Sequence, residues 1–208
     1  MGLLRLLYDD PLSFVLLAIP LLYSIIFHEL AHGWVAYKMG DPTAKMLGRL
    51  SLNPMRHLDP IGTAALFLVG FGWAKPVPVN FANLHDQRKG LIFVSAAGIV
   101  ANLILAFLSF LALRFFLPVL SERFYIALTF MGRINIMLAS FNLIPIPPLD
   151  GSKILMGFST QRFQYTLQRL EPYGMFILIG LLFMGWLNYP IALIQQIIVG
   201  IIGLLIPR

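Results

Sequence analysis

The chain has 208 residues, 59% of them hydrophobic and 12% charged, with a mean hydropathy of +0.83, a composition too apolar for a water-soluble domain and suited to an integral membrane protein. It contains no cysteine, which excludes disulfides and thiolate metal sites and leaves His, Asp and Glu to hold any metal. The net charge of +6 is scattered between apolar segments, a distribution that fits a phospholipid surface and not a nucleic acid.

The N-terminal MGLLRLLYDDP offers one basic residue, two acids and no small-residue cleavage site, so the first apolar segment is expected to be retained as a span. Leu12 to Tyr37 is long enough to cross, since about 20 helical residues traverse the hydrocarbon core. Ile61 to Ala74 is shorter and glycine-rich, ending in VGFGWA, and reads as a segment that dips into the membrane and returns. In the following GWAKPVPVNF, the alternation of Val77, Pro78 and Val79 reads either as an edge strand, because proline lacks the ladder donor, or as an ordinary Pro-rich interfacial loop. An exposed edge there could pair with an extended substrate.

Leu91 to Phe116 and Phe124 to Ile144 are further spans by length. Tyr173 to Leu187 and Ile191 to Ile206, separated by NYP as a tight turn, read as two short spans, the second able to lie along the interface instead. The expected fold is an all-α multi-pass membrane protein with about five hydrophobic helical segments and a re-entrant or β-hairpin loop between the first and second full spans. With no internal repeat and no large soluble insert, one membrane-embedded domain over residues 1–208 is expected, with its core at 11–155 and C-terminal helical segments at 173–206.

Lysine and arginine set the orientation. With an external N-terminus, Lys38, Lys45, Arg49, Arg56, Lys75, Arg88, Lys89, Lys153, Arg162, Arg169 and Arg208 collect on the cytoplasmic side, against Arg5, Arg114 and Arg123 outside. Arg133 falls within the third span, where snorkelling to a membrane face is the expected reading.

Inside the first span lies HELAH, which sets His28 and His32 four residues apart. On a helix their imidazoles share one face, one turn apart, and can grip a single metal ion. Glu29 is rotated beside them, where it could polarise a metal-bound water, as in the H-E-x-x-H arrangement of zinc hydrolases. Three ionisable groups in a bilayer span are costly unless paired or metal-bound. At about 1.5 Å per helical residue, His28 lies about 27 Å from Asp10 and about 15 Å from Lys38, so the site is expected below the cytoplasmic surface.

A catalytic zinc site has three protein ligands and one open position. The third ligand is to be sought among His57, Asp59, His85, Asp86, Asp150 and Glu171. Asp150 ends FNLIPIPPLDGSK, whose prolines at 145, 147 and 148 force irregular backbone near membrane depth, a conformation tolerated only where it lines a polar cavity. The alternative is an Asp that caps a helix before Gly151. His57 and Asp59 read as loop-organising residues.

These residues resemble the site-2 protease family of intramembrane zinc metalloproteases. The resemblance rests on His28, Glu29 and His32, on Asn142, Pro145, Asp150 and Gly151 as N-x-x-P-x-x-x-x-D-G, and on Gly98 and Asn102 in SAAGIVANL as G-x-x-x-N, together covering about residues 20–155. It implies one Zn2+ ligated by His28, His32 and Asp150, with Glu29 as catalytic acid/base. Asn102 and Asn142 would bind substrate backbone or stabilise the oxyanion. It further implies cleavage of transmembrane protein or peptide substrates in or near their membrane segments, in the cell membrane, and a membrane-embedded hairpin ahead of the second core helix. The chain has no insert the size of a PDZ module and no C-terminal nucleotide-sensing module, so it resembles a minimal core. The rival expectation is a metal-binding membrane transporter or scaffold that uses the same ligands without hydrolysis.

Overall fold

The structure, a computed structural model, describes residues 7–69 and 72–206. Helix α1 spans Pro11–Lys38. The Asp10 carboxylate accepts from the Ser13 N–H at 3.1 Å and Pro11 occupies the first helical position, where a missing N–H costs nothing. The helix stops where Gly40 adopts a φ of +109°, a left-handed conformation open to glycine. A short helix α2, Thr43–Met46, follows.

Helix α3, Pro60–Val69, starts on Asp59, whose carboxylate accepts from the Gly62 N–H at 2.7 Å. The chain then comes back to where it left: Leu58 and Ala74 form an antiparallel bridge, and the Lys75 N–H donates to the His57 carbonyl at 2.8 Å. The 58–74 excursion therefore doubles back on itself; Gly70 and Phe71 of VGFGWA lie outside the described residues. The hairpin is reduced to that one bridge, and no strand forms among the described residues. Prolines at 76 and 78 remove two ladder donors from the segment that would have made it.

Helix α4, Gln87–Phe116, is capped by Asp86, which accepts from the Lys89 N–H at 3.0 Å. Its buried stripe runs Gly90, Val94, Gly98, Asn102, Ala106, every fourth residue and mostly small. Between helices in lipid the hydrophobic effect offers little drive, and close approach along such a stripe supplies packing and hydrogen bonds instead. α4 packs along α1 and α5, the latter Glu122–Asn142. Ile99, Ala106, Ile136, Ala139, Ile198 and Ile202 join α4 and α5 to the C-terminal helix α9, Asn188–Leu205.

After α5 the backbone turns through Pro145, Pro147 and Pro148 into α6, Asp150–Phe158. Two short helices follow, α7 at Gln161–Leu170 and α8 at Gly174–Phe183. Among the described residues, four helices are long and apolar enough to cross a membrane: α1, α4, α5 and α9. With its 10 residues, α8 is about 15 Å long and falls short of a span. The turn before α9 also lies earlier than NYP. Gly185 supplies the positive φ of +72°, while Asn188, Tyr189 and Pro190 form the first turn of α9, where proline is tolerated.

Candidate metal centre

The centre is assembled from α1, α4 and α6. His28 and His32 project from one face of α1 with their Nε2 atoms 2.9 Å apart. The Asp150 Oδ2 lies 3.1 Å from His28 Nε2 and 3.2 Å from His32 Nε2. All three residues are buried, at 8%, 8% and 7% exposure. Of the two readings of Asp150, the structure selects the one that faces the histidines. The carboxylate is carried there by the proline turn and by Gly151, where a Cβ would lie 2.4 Å from the Leu143 carbonyl oxygen.

The outer ring nitrogens show what the inner ones must be. His32 Nδ1 lies 2.6 Å from the Val94 carbonyl oxygen, which can only accept, so His32 donates through Nδ1. His28 Nδ1 lies 2.6 Å from Asn102 Oδ1. The Asn102 amide is oriented by its nitrogen, which donates to the Ser24 carbonyl at 3.3 Å and to Asn135 Oδ1 at 2.7 Å, so His28 Nδ1 donates as well. In the neutral imidazoles both Nε2 atoms therefore present lone pairs, and they converge with a carboxylate oxygen that has no hydrogen-bond partner. Three buried lone pairs in mutual contact repel unless a cation lies between them. The donor set of two imidazoles and one carboxylate fits Zn2+, whose ligands at about 2.0–2.2 Å in a tetrahedron stand about 3.3–3.6 Å from one another.

Gly98 makes the approach possible. A Cβ there would sit 2.5 Å from His32 Nε2 and 2.6 Å from His28 Cε1. The small-residue face of α4 is thus the wall against which the two imidazoles stand.

Glu29 is half-buried beside the triad, and its Oε2 accepts a hydrogen bond from the Val77 N–H at 2.7 Å. Val77 belongs to the extended PVPV segment, held from its other side by Arg49, whose guanidinium donates to the Lys75 and Pro76 carbonyls at 2.7 and 3.1 Å. Asp41 anchors the far end. Its buried carboxylate accepts from the Asn80 N–H at 2.7 Å, from Asn83 Nδ2 at 2.9 Å, and from the Thr43 N–H and hydroxyl. Burial pushes the Asp41 carboxyl up, but these donors outweigh it and hold the group below the usual carboxylate range.

His28, Glu29, His32, Asn142 and Asp150 all line one cavity of about 510 Å3, with Pro76, Val77, Pro78 and Val79 along its side. Asn102 is fully buried, and its amide is engaged by His28, Ser24 and Asn135, which sets it behind the His28 imidazole. Asn142 does face the cavity, and its amide nitrogen donates to the Leu138 carbonyl at 3.0 Å. Of the other candidates, Glu171 lines the cavity, whereas Asp59 and Asp86 cap helices. His57 is tied to the Ser51 carbonyl at 2.6 Å. The ring of His85 lies against Gly40, and Arg133 is exposed on the outside of α5.

Sequence reading missed Ser24 and Asn135. The Asn135 amide donates to the Ser24 hydroxyl at 2.7 Å, completing a buried polar chain from His28 through α4 to α5. The signal available was polarity at a lipid depth where it is costly, but no spacing rule links the residues. Asp41, and the Val77 N–H as the partner of Glu29, went unread because no spacing rule links them to the site.

Four apolar helices among the described residues, and a buried His, His, Asp cluster with an adjacent glutamate that could hold a metal ion, define a multi-pass membrane protein of metalloprotease class. The chain belongs to peptidase family M50, whose model matches residues 16–129 and 118–185, in agreement with the site-2 protease resemblance. It is 43% identical over 184 residues to YwhC of Bacillus subtilis (strain 168), named as a candidate zinc metalloprotease, covering 82% of each chain. It is 30% identical over 181 residues to Rip2 of Mycolicibacterium smegmatis, similarly named, covering 84% of this chain and 69% of that one. To the zinc metalloprotease MJ0392 of Methanocaldococcus jannaschii it is 27% identical over 157 residues, 76% of this chain and 38% of the other. No solved structure matches the chain.

Proposed function

We propose that the protein is an intramembrane zinc metalloprotease that hydrolyses peptide bonds in or beside the transmembrane segments of membrane-protein substrates. The observation that carries this reading is the convergence of three lone pairs at 2.9–3.2 Å next to Glu29 in a cleft among apolar helices. His28, His32 and Asp150 hold one zinc. When bound, zinc supplies a Lewis acid for the scissile carbonyl and lowers the pKa of water towards about 7.

The chain's own groups do the rest. Glu29 is steadied through Oε2 by the Val77 N–H, which leaves Oε1 to take a proton from the attacking water and pass it to the leaving amine. Asn102 fixes the tautomer and ring plane of His28 as a positioning residue. Asn142 has a second amide hydrogen beyond the one given to Leu138, and with it binds a substrate carbonyl. The unpaired flank of PVPV receives the substrate as an extended strand. A helical substrate hides its carbonyls in its own hydrogen bonds, so helix-weakening residues near the cut favour cleavage.

The position of His28 ten residues before Lys38, and the excess of Lys and Arg in the connections expected on that side, support a site near the cytoplasmic face of the cell membrane with the N-terminus outside. The test is Glu29→Gln in purified, zinc-loaded protein presented with a transmembrane peptide. Cleavage is expected to fall by about 100-fold or more; cleavage at the wild-type rate removes the proposal.

A further inference from the structure

The cleft does not end at the metal centre. Phe81, Lys153 and Glu171 line both the metal cavity and a second cavity of about 290 Å3, so the two adjoin along a shared wall. The second is built of different chemistry. Gln161, Gln164 and Gln168 enter it from α7, at spacings of three and four that put them on one helical face. Arg88 enters from the first turn of α4, and Lys153 stands on α6 one turn beyond Asp150.

Two of these side chains are held in place. Gln164 Nε2 donates to the Met156 carbonyl at 2.6 Å, and the Arg88 guanidinium donates to the Ser159 carbonyl at 3.3 Å. Beside Phe81, Leu91 and Met156, the cavity presents four primary amides, Gln87 included, with two cations and one carboxylate. They suit an extended backbone, whose N–H and C=O groups pair with primary amides in either sense, and the surplus positive charge suits Asp or Glu on it. The metal centre itself takes the scissile bond from an apolar segment, so a substrate reaching both cavities must change character from apolar to polar within a few residues of the cut. The PVPV segment flanks the metal cavity, and Phe81, two residues on from Val79, sits at the junction, which directs an added strand from one cavity to the other.

We propose that this glutamine-lined cavity is a substrate subsite that binds the extended, acidic juxtamembrane segment adjoining the cleaved span. The proposal rests on the protease reading above and adds the substrate class that the enzyme selects.

The experiment uses zinc-loaded protein in detergent and three synthetic peptides that share one apolar span. One ends, beside the cut, in a tail rich in Asp and Gln; the second has the same tail with Lys for Asp; the third has no tail. Wild-type kcat/KM is expected to be about tenfold higher for the acidic tail than for either other peptide, with the difference in KM. The double variant Gln161→Ala/Gln168→Ala and, separately, Lys153→Glu should bring the ratio of acidic-tailed to tail-less kcat/KM close to one. Equal kcat/KM for the three peptides on the wild type, or an unchanged ratio in both variants, overturns the subsite.

Fluorescence anisotropy of the labelled acidic tail alone, without any span, separates the two claims. Wild type that binds the tail more tightly than Lys153→Glu does, yet cleaves none of the peptides, supports the subsite and contradicts the protease reading. Cleavage without tail preference and without tail binding does the reverse.

Discussion

Glycine means different things at the two ends of this chain. In the N-terminal half a Cβ at Gly33 would meet Leu50 and Val77 at 2.6 and 2.7 Å, and one at Gly98 would meet the imidazoles of His32 and His28 at 2.5 and 2.6 Å. In the C-terminal helices, Gly180, Gly200 and Gly203 have nothing within 4 Å of such an atom. Gly98 lets α4 close on the imidazoles of α1, and Gly33 lets Val77 and Leu50 lie against α1. The C-terminal set face outward from α8 and α9, where glycine merely weakens a helix. The contrast separates a region packed for chemistry from one packed only to span or cover.

The largest break in that contrast is expected from Gly98→Ala. The added methyl must push the imidazoles apart, and zinc affinity, read by competition with a chelator, should fall about 100-fold, at the upper end of the range for lost support of a ligand. Asn102→Ala removes the acceptor for His28 Nδ1 and leaves Asn135 Oδ1 without its donor. Zinc affinity should fall about 10-fold, with a stability loss of about 1–3 kcal/mol from the unsatisfied buried groups; a variant as zinc-tight as wild type would show that the His28 orientation is set elsewhere. Val77→Pro deletes the N–H that holds Glu29 while leaving the ligands alone, so kcat should drop about 10-fold at unchanged zinc content, whereas Val77→Ala, which keeps the donor, should not. The smallest effect belongs to Gly200→Ala. Zinc content should be unchanged and thermal stability within about 1 kcal/mol of wild type, on the favourable side, since alanine is the better helix former.

The proposed ligands were only partly legible from local rules. HELAH places two histidines on one face by helical geometry alone, whereas IPIPPLDG announces irregular backbone with an acid at its end, and the family resemblance singled out Asp150 from the open alternatives. The spans were legible as apolar length, to within a few residues for α1, α4 and α5. What supports the site was not legible. Ser24 and Asn135 meet across 111 residues of sequence, and Glu29 meets the backbone of Val77 across 48; no periodicity links such pairs, and a backbone donor has no residue-type signature. Asn102 was identified as a site residue, but its place behind His28 depends on which way α4 is turned. The turn before α9 went to NYP because proline and asparagine outweighed Gly185, whose positive φ becomes visible only in three dimensions.

Zinc content and peptide cleavage measured together, on the same purified preparations of wild type, Asp150→Ala and Glu29→Gln, test the central claim most directly. The account predicts one zinc per chain and cleavage in the wild type. Asp150→Ala should lose both, and Glu29→Gln should keep its zinc while losing cleavage. Wild-type protein that cleaves without bound metal, or Asp150→Ala that holds as much zinc as wild type, would contradict it.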